Sequence, residues 1–343
     1  MASWTKAQLA LRNAHISRFY TPYFGHLVPG TPQYNELARS GLVWDKIYKL
    51  RDLAPWKAAE HKLSPQLKEI DLIRQDRNLR MRTKFPQLAQ DSFPTLGLNY
   101  ADFASKSCEV EHNHLTDSDA SNMQQLLPTI PLDGSPILAA LRMKLPSAES
   151  LAASLQIPSS RCQDILELWN QLIALQAVLS PKHFGRVETN QSLLEDVKIL
   201  SQLLLRDTTL DKAGLSSGKY RSAPIQVKSD LYAIFPYPAE VPANMQFWSE
   251  WSTKCNDDQL VHPLLKAIWM MLYFVSVHPF QDGNGRLSRT IMAARMARNG
   301  FAPVICSPEL ERAEYIAMIQ AAHVGNPEAL CKEVVYSELA RLL

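Results

Sequence analysis

Residues 264–289 read LLKAIWMMLYFVSVHPFQDGNGRLSR. The first part, Leu264 to Val277, is apolar except at Lys266. It is shorter than the ~20 residues a membrane span needs and predicts a helix buried in a protein core. A loop follows, with His278, Asp282 and two glycines around Asn284, and a second helix is expected from about Arg286. Backbone amides of a Gly-Asn-Gly turn feeding a helix N-terminus form an anion site. Arg286 and Arg289 are three apart, so they share one face of that helix and can point at the same polyphosphate. Asp282 supplies a hard oxygen beside this site, which suits Mg²⁺ bridging phosphates. His278 is the only group in the loop that titrates near neutrality, which makes it the natural base for an attacking hydroxyl. Pro279 and Phe280 stiffen and anchor the loop.

Outward from this stretch, helical periodicity dominates and strand-like alternation is rare, so the chain reads as mainly α. Helices are expected at Leu63–Lys84, Tyr100–His112, Ile165–Leu179, Leu193–Leu205, Ala243–Lys254, His262–Val277, Arg286–Asn299 and Ala313–Ala322. Thr116 or Ser118 is placed to cap a helix carrying Met123, and Gly300 to close the one that begins near Arg286. In residues 1–60 the prolines Pro22, Pro29, Pro32 and Pro55 are expected to break any long helix. Residues 128–166 hold five prolines and read as an insertion of short helices. The one strand signal is Ile225 to Phe235, between Pro224 and Pro236, with Lys228-Ser229-Asp230 as the turn of a short β-hairpin.

The chain has 343 residues, 46% hydrophobic and 20% charged, which is an ordinary balance for a folded domain. The formal net charge is +2, and no concentrated basic face appears, which argues against a dedicated nucleic-acid partner. The five cysteines are scattered and form no CxxC pair; a disulfide framework or zinc site is not expected, and a reducing, cytoplasmic setting is. The N-terminus lacks the apolar stretch of a secretory signal. Residues 1–35 contain no acid while Lys6, Arg12 and Arg18 are basic, a faint, serine-poor likeness to a mitochondrial presequence.

The stretch His278 to Arg289 resembles the Fic-family active-site pattern HPFx(D/E)GNGRxxR at every specified position. Gly218-Lys219-Tyr220-Arg221 stands before the hairpin as in relatives, and the resemblance covers about 100–127 and 167–335. It implies a Fic-type helical bundle with a short β-hairpin flap. An N-terminal helical region, 1–99, would precede a catalytic region, 100–343, whose core is about 167–335. The activity implied is protein adenylyltransfer: AMP moved from ATP, with Mg²⁺, to a Ser, Thr or Tyr hydroxyl of a target protein. His278 would be the base and Asp282 the metal ligand. Gly283, Asn284 and Gly285 would form the anion hole, with Arg286 and Arg289 on the β- and γ-phosphates. The flap, at Ile225, Gln226 and Val227, would dock the target segment as an added strand. No nucleic acid and no membrane is implied, and a homodimer is left open.

Residues 104–113 read Ala-Ser-Lys-Ser-Cys-Glu-Val-Glu-His-Asn. Ser107 and Glu111 fit the family's inhibitory pattern (S/T)xxxE(G/N), whereas His112 departs from its Gly or Asn. The resemblance implies that Glu111 pairs with Arg289 and occupies the place of the γ-phosphate. In some relatives the same glutamate positions a water for removal of AMP. Transfer of another nucleotide or of phosphocholine, removal of AMP, and a nucleotide-sensing module with little turnover stay open as alternatives.

Overall fold

The computed structural model describes residues 5–84, 100–131, 134–180, 183, 188–214, 218–225, 233–257 and 261–343, excluding the side chains of 78–84 and 255–257. Sixteen α-helices and no strand occur among the described residues. They are α1 (Lys6–Phe24), α2 (Pro32–Ser40), α3 (Leu42–Tyr48), α4 (Ala54–Lys84), α5 (Ala101–Glu109), α6 (Asp117–Gln125), α7 (Pro136–Arg142) and α8 (Ala148–Leu155). After a 3₁₀ turn at Ser159–Arg161 come α9 (Cys162–Val178), α10 (Asn190–Leu205), α11 (Thr209–Lys212), α12 (Val241–Asp257), α13 (Pro263–Val277), α14 (Asn284–Arg298), α15 (Arg312–His323) and α16 (Glu328–Leu342). The fold is therefore all-helical among the described residues. The expected hairpin falls mainly on residues 226–232, which lie outside the described residues, and its flanks at Ile225 and 233–235 carry no strand.

The prolines of the first sixty residues behave differently from expectation. Pro32 and Pro55 sit in the first turns of α2 and α4, where a missing N–H is not needed, so they start helices instead of breaking them. Pro22 lies in the last turn of α1, which still runs for 19 residues, led by a capping box between Thr5 and Gln8. Thr116 caps α6, with Asp119 returning the bond. At the end of α14, Gly300 turns left-handed (φ 77°); its N–H bonds Ala297, and the N–H of Phe301 bonds Met296, both at 2.9 Å.

Helices α13 and α14 form the centre, packed on each other around the loop 278–283. Along α13 only Pro263, Lys266 and Val275 escape full burial. α9 and α10 cover α14, while α5 and α6 lie on α9. Residues before and after 100 share one core: Trp56 stacks on Trp269 (centroids 4.9 Å apart), and Trp269 donates to the Leu50 carbonyl at 2.6 Å. Arg74 of α4 lies 3.7 Å over the Phe301 ring and bonds the Gly300 carbonyl, fixing the far end of α14. The chemistry-bearing loop thus hangs between two immobilised helices.

Candidate active site

The loop begins where α13 ends. His278 caps α13 in the left-handed conformation (φ 51°), which costs a non-glycine residue about 1–2 kcal/mol. Arg221 helps to hold it there: its Nε donates to the His278 carbonyl at 2.7 Å, and its backbone N–H to the Pro279 carbonyl at 2.9 Å. Nδ1 of His278 lies 3.0 Å from the Val275 carbonyl. A carbonyl can only accept, so Nδ1 carries the proton and Nε2 presents a lone pair. The ring packs at 4.7 Å from Phe235. Burial pulls the imidazole pKa down to about 4; the Val275 carbonyl, Glu111 and Asp282 oppose that shift, and Arg221 adds to it.

The rest of the loop is braced from inside. Asn284 Nδ2 donates to the Phe280 carbonyl at 2.8 Å, and the Phe280 N–H donates to Asn284 Oδ1 at 2.9 Å. The Asn284 side chain is therefore a buried strut, and any anion binding at 284 falls to its backbone. Gly283 turns left-handed (φ 74°) to start α14. At Gly285 a Cβ would stand 2.0 Å from Glu111 Oε1, so only glycine leaves room for that carboxylate over the first turn of α14.

Arg286 and Arg289 are both buried and line the same cleft, but their partners differ. Arg289 is engaged at two nitrogens: Nε bonds the Ser107 hydroxyl at 2.9 Å, and Nη2 bonds the Ser107 carbonyl and Glu111 Oε1, each at 2.7 Å. Arg286 has no hydrogen-bond partner at Nε or Nη1; Glu167 Oε2 stands 4.0 Å from Nη1. A buried guanidinium with orphaned N–H groups is costly unless an anion completes it. Burial pushes the Glu111 carboxyl up, but Arg289, then Arg286 and His278, outweigh this and hold it below its usual value. The Glu111 side chain remains 37% exposed, toward the cleft.

His112, the departure from the inhibitory pattern, takes the conformation glycine would (φ 67°). The end of α5 therefore turns as the pattern requires, and Glu111 reaches Arg289. Asn113, 3% exposed, anchors the turn by donating to the Asp164 carbonyl at 2.8 Å.

The cleft has a volume of about 1380 Å³. That exceeds the roughly 300–1,000 Å³ of an ordinary small-molecule pocket, leaving room for a second reactant. One wall is α15, which presents Arg312, Tyr315, Ile319 and His323 at helical spacing. At its far end Ser276 donates to the Leu272 carbonyl (2.7 Å), so the 2.9 Å contact with His323 is a donation from His323 Nδ1. His323 Nε2 is then a bare acceptor, buried without a partner, and burial, with the nearby His278, lowers this pKa to about 4. The opposite wall is N-terminal, with Phe19, Ile47 and Tyr48.

The structure thus gathers His278, Asp282, Gly283, Asn284, Gly285, Arg286, Arg289 and Glu111 around one cleft, with Ser107 behind Arg289 and Ile225 at its edge. Asp282 is exposed there. Gln226 and Val227 lie outside the described residues. Sequence reasoning did not find the placement of Arg221, Arg312, Tyr315 or His323, nor the contribution of α1 and α3. None stands within the motif; Arg221 in the tetrad before the hairpin carried the only signal.

Among the described residues, fold and site together define a helical protein whose cleft places two arginines and a glycine-rich helix start beside a histidine with a bare Nε2. Residues 191–295 match the Fic/DOC family. The relatives include a protein adenylyltransferase Fic of Nematostella vectensis, 32% identical over 112 residues, 33% of this chain and 25% of the relative. Another is protein adenylyltransferase fic-1 of Caenorhabditis briggsae, 35% identical over 113 residues, 33% of this chain and 21% of the relative. The matched region spans about a quarter of these relatives' length. Among solved structures, a Fic domain containing signaling protein from Bacteroides thetaiotaomicron has a TM-score of 0.51 at 17% identity, covering 81% of this chain and 90% of that one. Fic-1 from C. elegans has a TM-score of 0.50 at 20% identity, covering 98% and 97%. These two likenesses speak to fold alone.

Proposed function

We propose that the protein is a protein adenylyltransferase that moves AMP from ATP to a Ser, Thr or Tyr hydroxyl of another protein, held back by Glu111. The observation that carries this reading is Arg286: a buried guanidinium with two unpartnered nitrogens in the cleft that holds His278 and Asp282. A polyphosphate completes it. His278 Nε2 takes the proton of the attacking hydroxyl; the new oxygen–phosphorus bond forms at the α-phosphate and pyrophosphate leaves. Catalysis of this kind rests on positioning and charge neutralisation. One exposed carboxylate beside a phosphate cradle is the donor set Mg²⁺ takes when substrate phosphates supply other ligands. Asp282 would hold it, and the ion would neutralise the polyphosphate. His323 Nε2, an acceptor, favours a base with an amino group, as in adenine.

Glu111 occupies the Arg289 nitrogen that a γ-phosphate would need. A second reading is removal of AMP, favoured by Glu111 being 37% exposed and so able to meet a water. The deciding experiment is incubation with labelled ATP or GTP and Mg²⁺, wild type against Glu111→Gly, followed by locating the label on protein. Label from ATP, stronger in the variant, supports transfer. Absence of label from both proteins with either nucleotide sinks it. Loss of preloaded AMP with wild type but not with Glu111→Gly would favour removal.

A further inference from the structure

Glu111 does not hold itself in place. The chain leaves α5 at Val110, whose carbonyl is among those a helix end leaves without an intrahelical partner. That carbonyl receives Arg312 Nε at 2.6 Å. Arg312 is the first residue of α15, 202 positions away in the chain. On the other side of Glu111, Asn113 is tied to the Asp164 carbonyl just inside α9. Only Glu111 and the left-handed His112 lie between these two anchors. A second cation strengthens the first: Lys106 of α5 donates to the carbonyls of Pro308 and Leu310, in the segment that leads into α15. The last turn of α5 is therefore registered against the start of α15 by two basic side chains, and Arg312 grips the residue adjoining Glu111.

We propose that Arg312 is the positioning residue that seats Glu111 on Arg289, so that the inhibitory contact is set by α15 and not by α5 alone. This rests on the reading of Glu111 as an inhibitory side chain. The warrant is geometric. The Glu111–Arg289 bond at 2.7 Å needs the carboxylate above Gly285, where a Cβ would stand 2.0 Å from Glu111 Oε1. A drift of the α5 end by even one ångström would break that fit. The backbone bonds of Glu111 to Cys108 and of His112 to Glu109 tie the turn to α5 itself but do not fix the end of α5 against α14, and the αL turn at His112 is not a conformation that a histidine favours by itself.

The test uses the full chain and labelled ATP with Mg²⁺, and reads initial rates of self-modification for wild type, Arg312→Ala, Arg312→Lys, Glu111→Gly and Glu111→Gly/Arg312→Ala. Arg312→Ala should raise kcat by about tenfold, less than Glu111→Gly does, as loss of about 1.4 kcal/mol of positioning requires. Arg312→Lys should fall between wild type and Arg312→Ala, because an ammonium still reaches a carbonyl. In the Glu111→Gly background Arg312→Ala should give no further gain, as a residue that restrains the rate only through Glu111 must. Amide hydrogen exchange at Glu111 to Asn113 should quicken in Arg312→Ala with the melting temperature held close to wild type. A wild-type rate in Arg312→Ala, alongside a fast Glu111→Gly, overturns the inference and leaves the proposed function standing. A raised KM for ATP in both backgrounds also overturns it, by making Arg312 a nucleotide contact. No gain from Glu111→Gly itself brings down the reading of Glu111 and this inference together.

Discussion

Two helix ends meet at the cleft, and each reverses through a histidine in the left-handed conformation: α13 at His278 (φ 51°) and α5 at His112 (φ 67°). They differ in how their side chains are held, although Arg221 also reaches the first from a distance. The first is braced largely from within: Nδ1 of His278 bonds a carbonyl three residues back, and Asn284 clamps Phe280 four residues away. The second keeps local backbone bonds, Glu111 to Cys108 and His112 to Glu109, but its side-chain anchors come from afar, across 51, 178 and 202 residues of chain. Local bonds form with the loop itself and give it a single shape. Distant bonds depend on how whole helices are seated, and each can be lost without unmaking the other end. The proposed base thus sits on the rigid side and the proposed inhibitor on the adjustable side.

The largest effect expected of this contrast is at His278. His278→Ala should lower transfer by about 10²–10⁴-fold, the usual worth of a positioned base, with ATP binding nearly intact. Persisting transfer in the purified variant breaks the assignment of roles to the two ends. On the adjustable side, Glu111→Gly should raise self-modification by about ten- to a hundredfold by vacating Arg289. The double change Glu111→Gly/Arg289→Ala should lose that gain; if it keeps it, Arg289 is not the group that Glu111 blocks.

A smaller effect sharpens the claim of internal bracing. Asn284→Ala strands two buried backbone groups of Phe280, which should cost about 1–3 kcal/mol in chemical denaturation. A change indistinguishable from zero would mean the loop is held from outside, as the α5 end is. The smallest effect concerns pH. His278 and His323 both fall from the usual 6.5 to about 4 through burial, so both are neutral at pH 7. The acid limb of the rate profile should therefore lie near pH 4, not near 6.5. Between those values the unfolded chain binds more protons than the folded one, so stability should fall as pH drops from about 6.5 to about 4. Melting temperatures across that window should decline for wild type and more shallowly for His323→Ala; equal slopes would remove His323 from the account.

The reading of the sequence was sound where structure is made by near neighbours. The Leu264–Val277 run became α13, and the end of α14 closes at Gly300 as the residue type predicts. It failed where a residue's effect depends on its place in an element. Pro32 and Pro55 were expected to interrupt, yet sit in first turns where they cost nothing. Helix α16 was not anticipated at all; it is fixed by packing on α4 and α15.

The sequence by itself determined the loop and the side chains it gathers, because twelve consecutive residues supply a histidine, a carboxylate, two glycines and two arginines within reach of one another. Spacing alone does not show which arginine is occupied; the resemblance names Arg289 as the partner of Glu111, and the structure has that pair. Arg286 and Arg289 are indistinguishable in spacing, but Ser107 and Glu111 fill one and leave the other with bare N–H groups. Nor could it show that Arg312 grips the carbonyl beside Glu111, or that Ser276 fixes the tautomer of His323. Those facts belong to the packing of α5 and α15 against α13 and α14. Such packing brings together groups far apart in the chain, and a side chain's partners across that distance leave no periodicity to read.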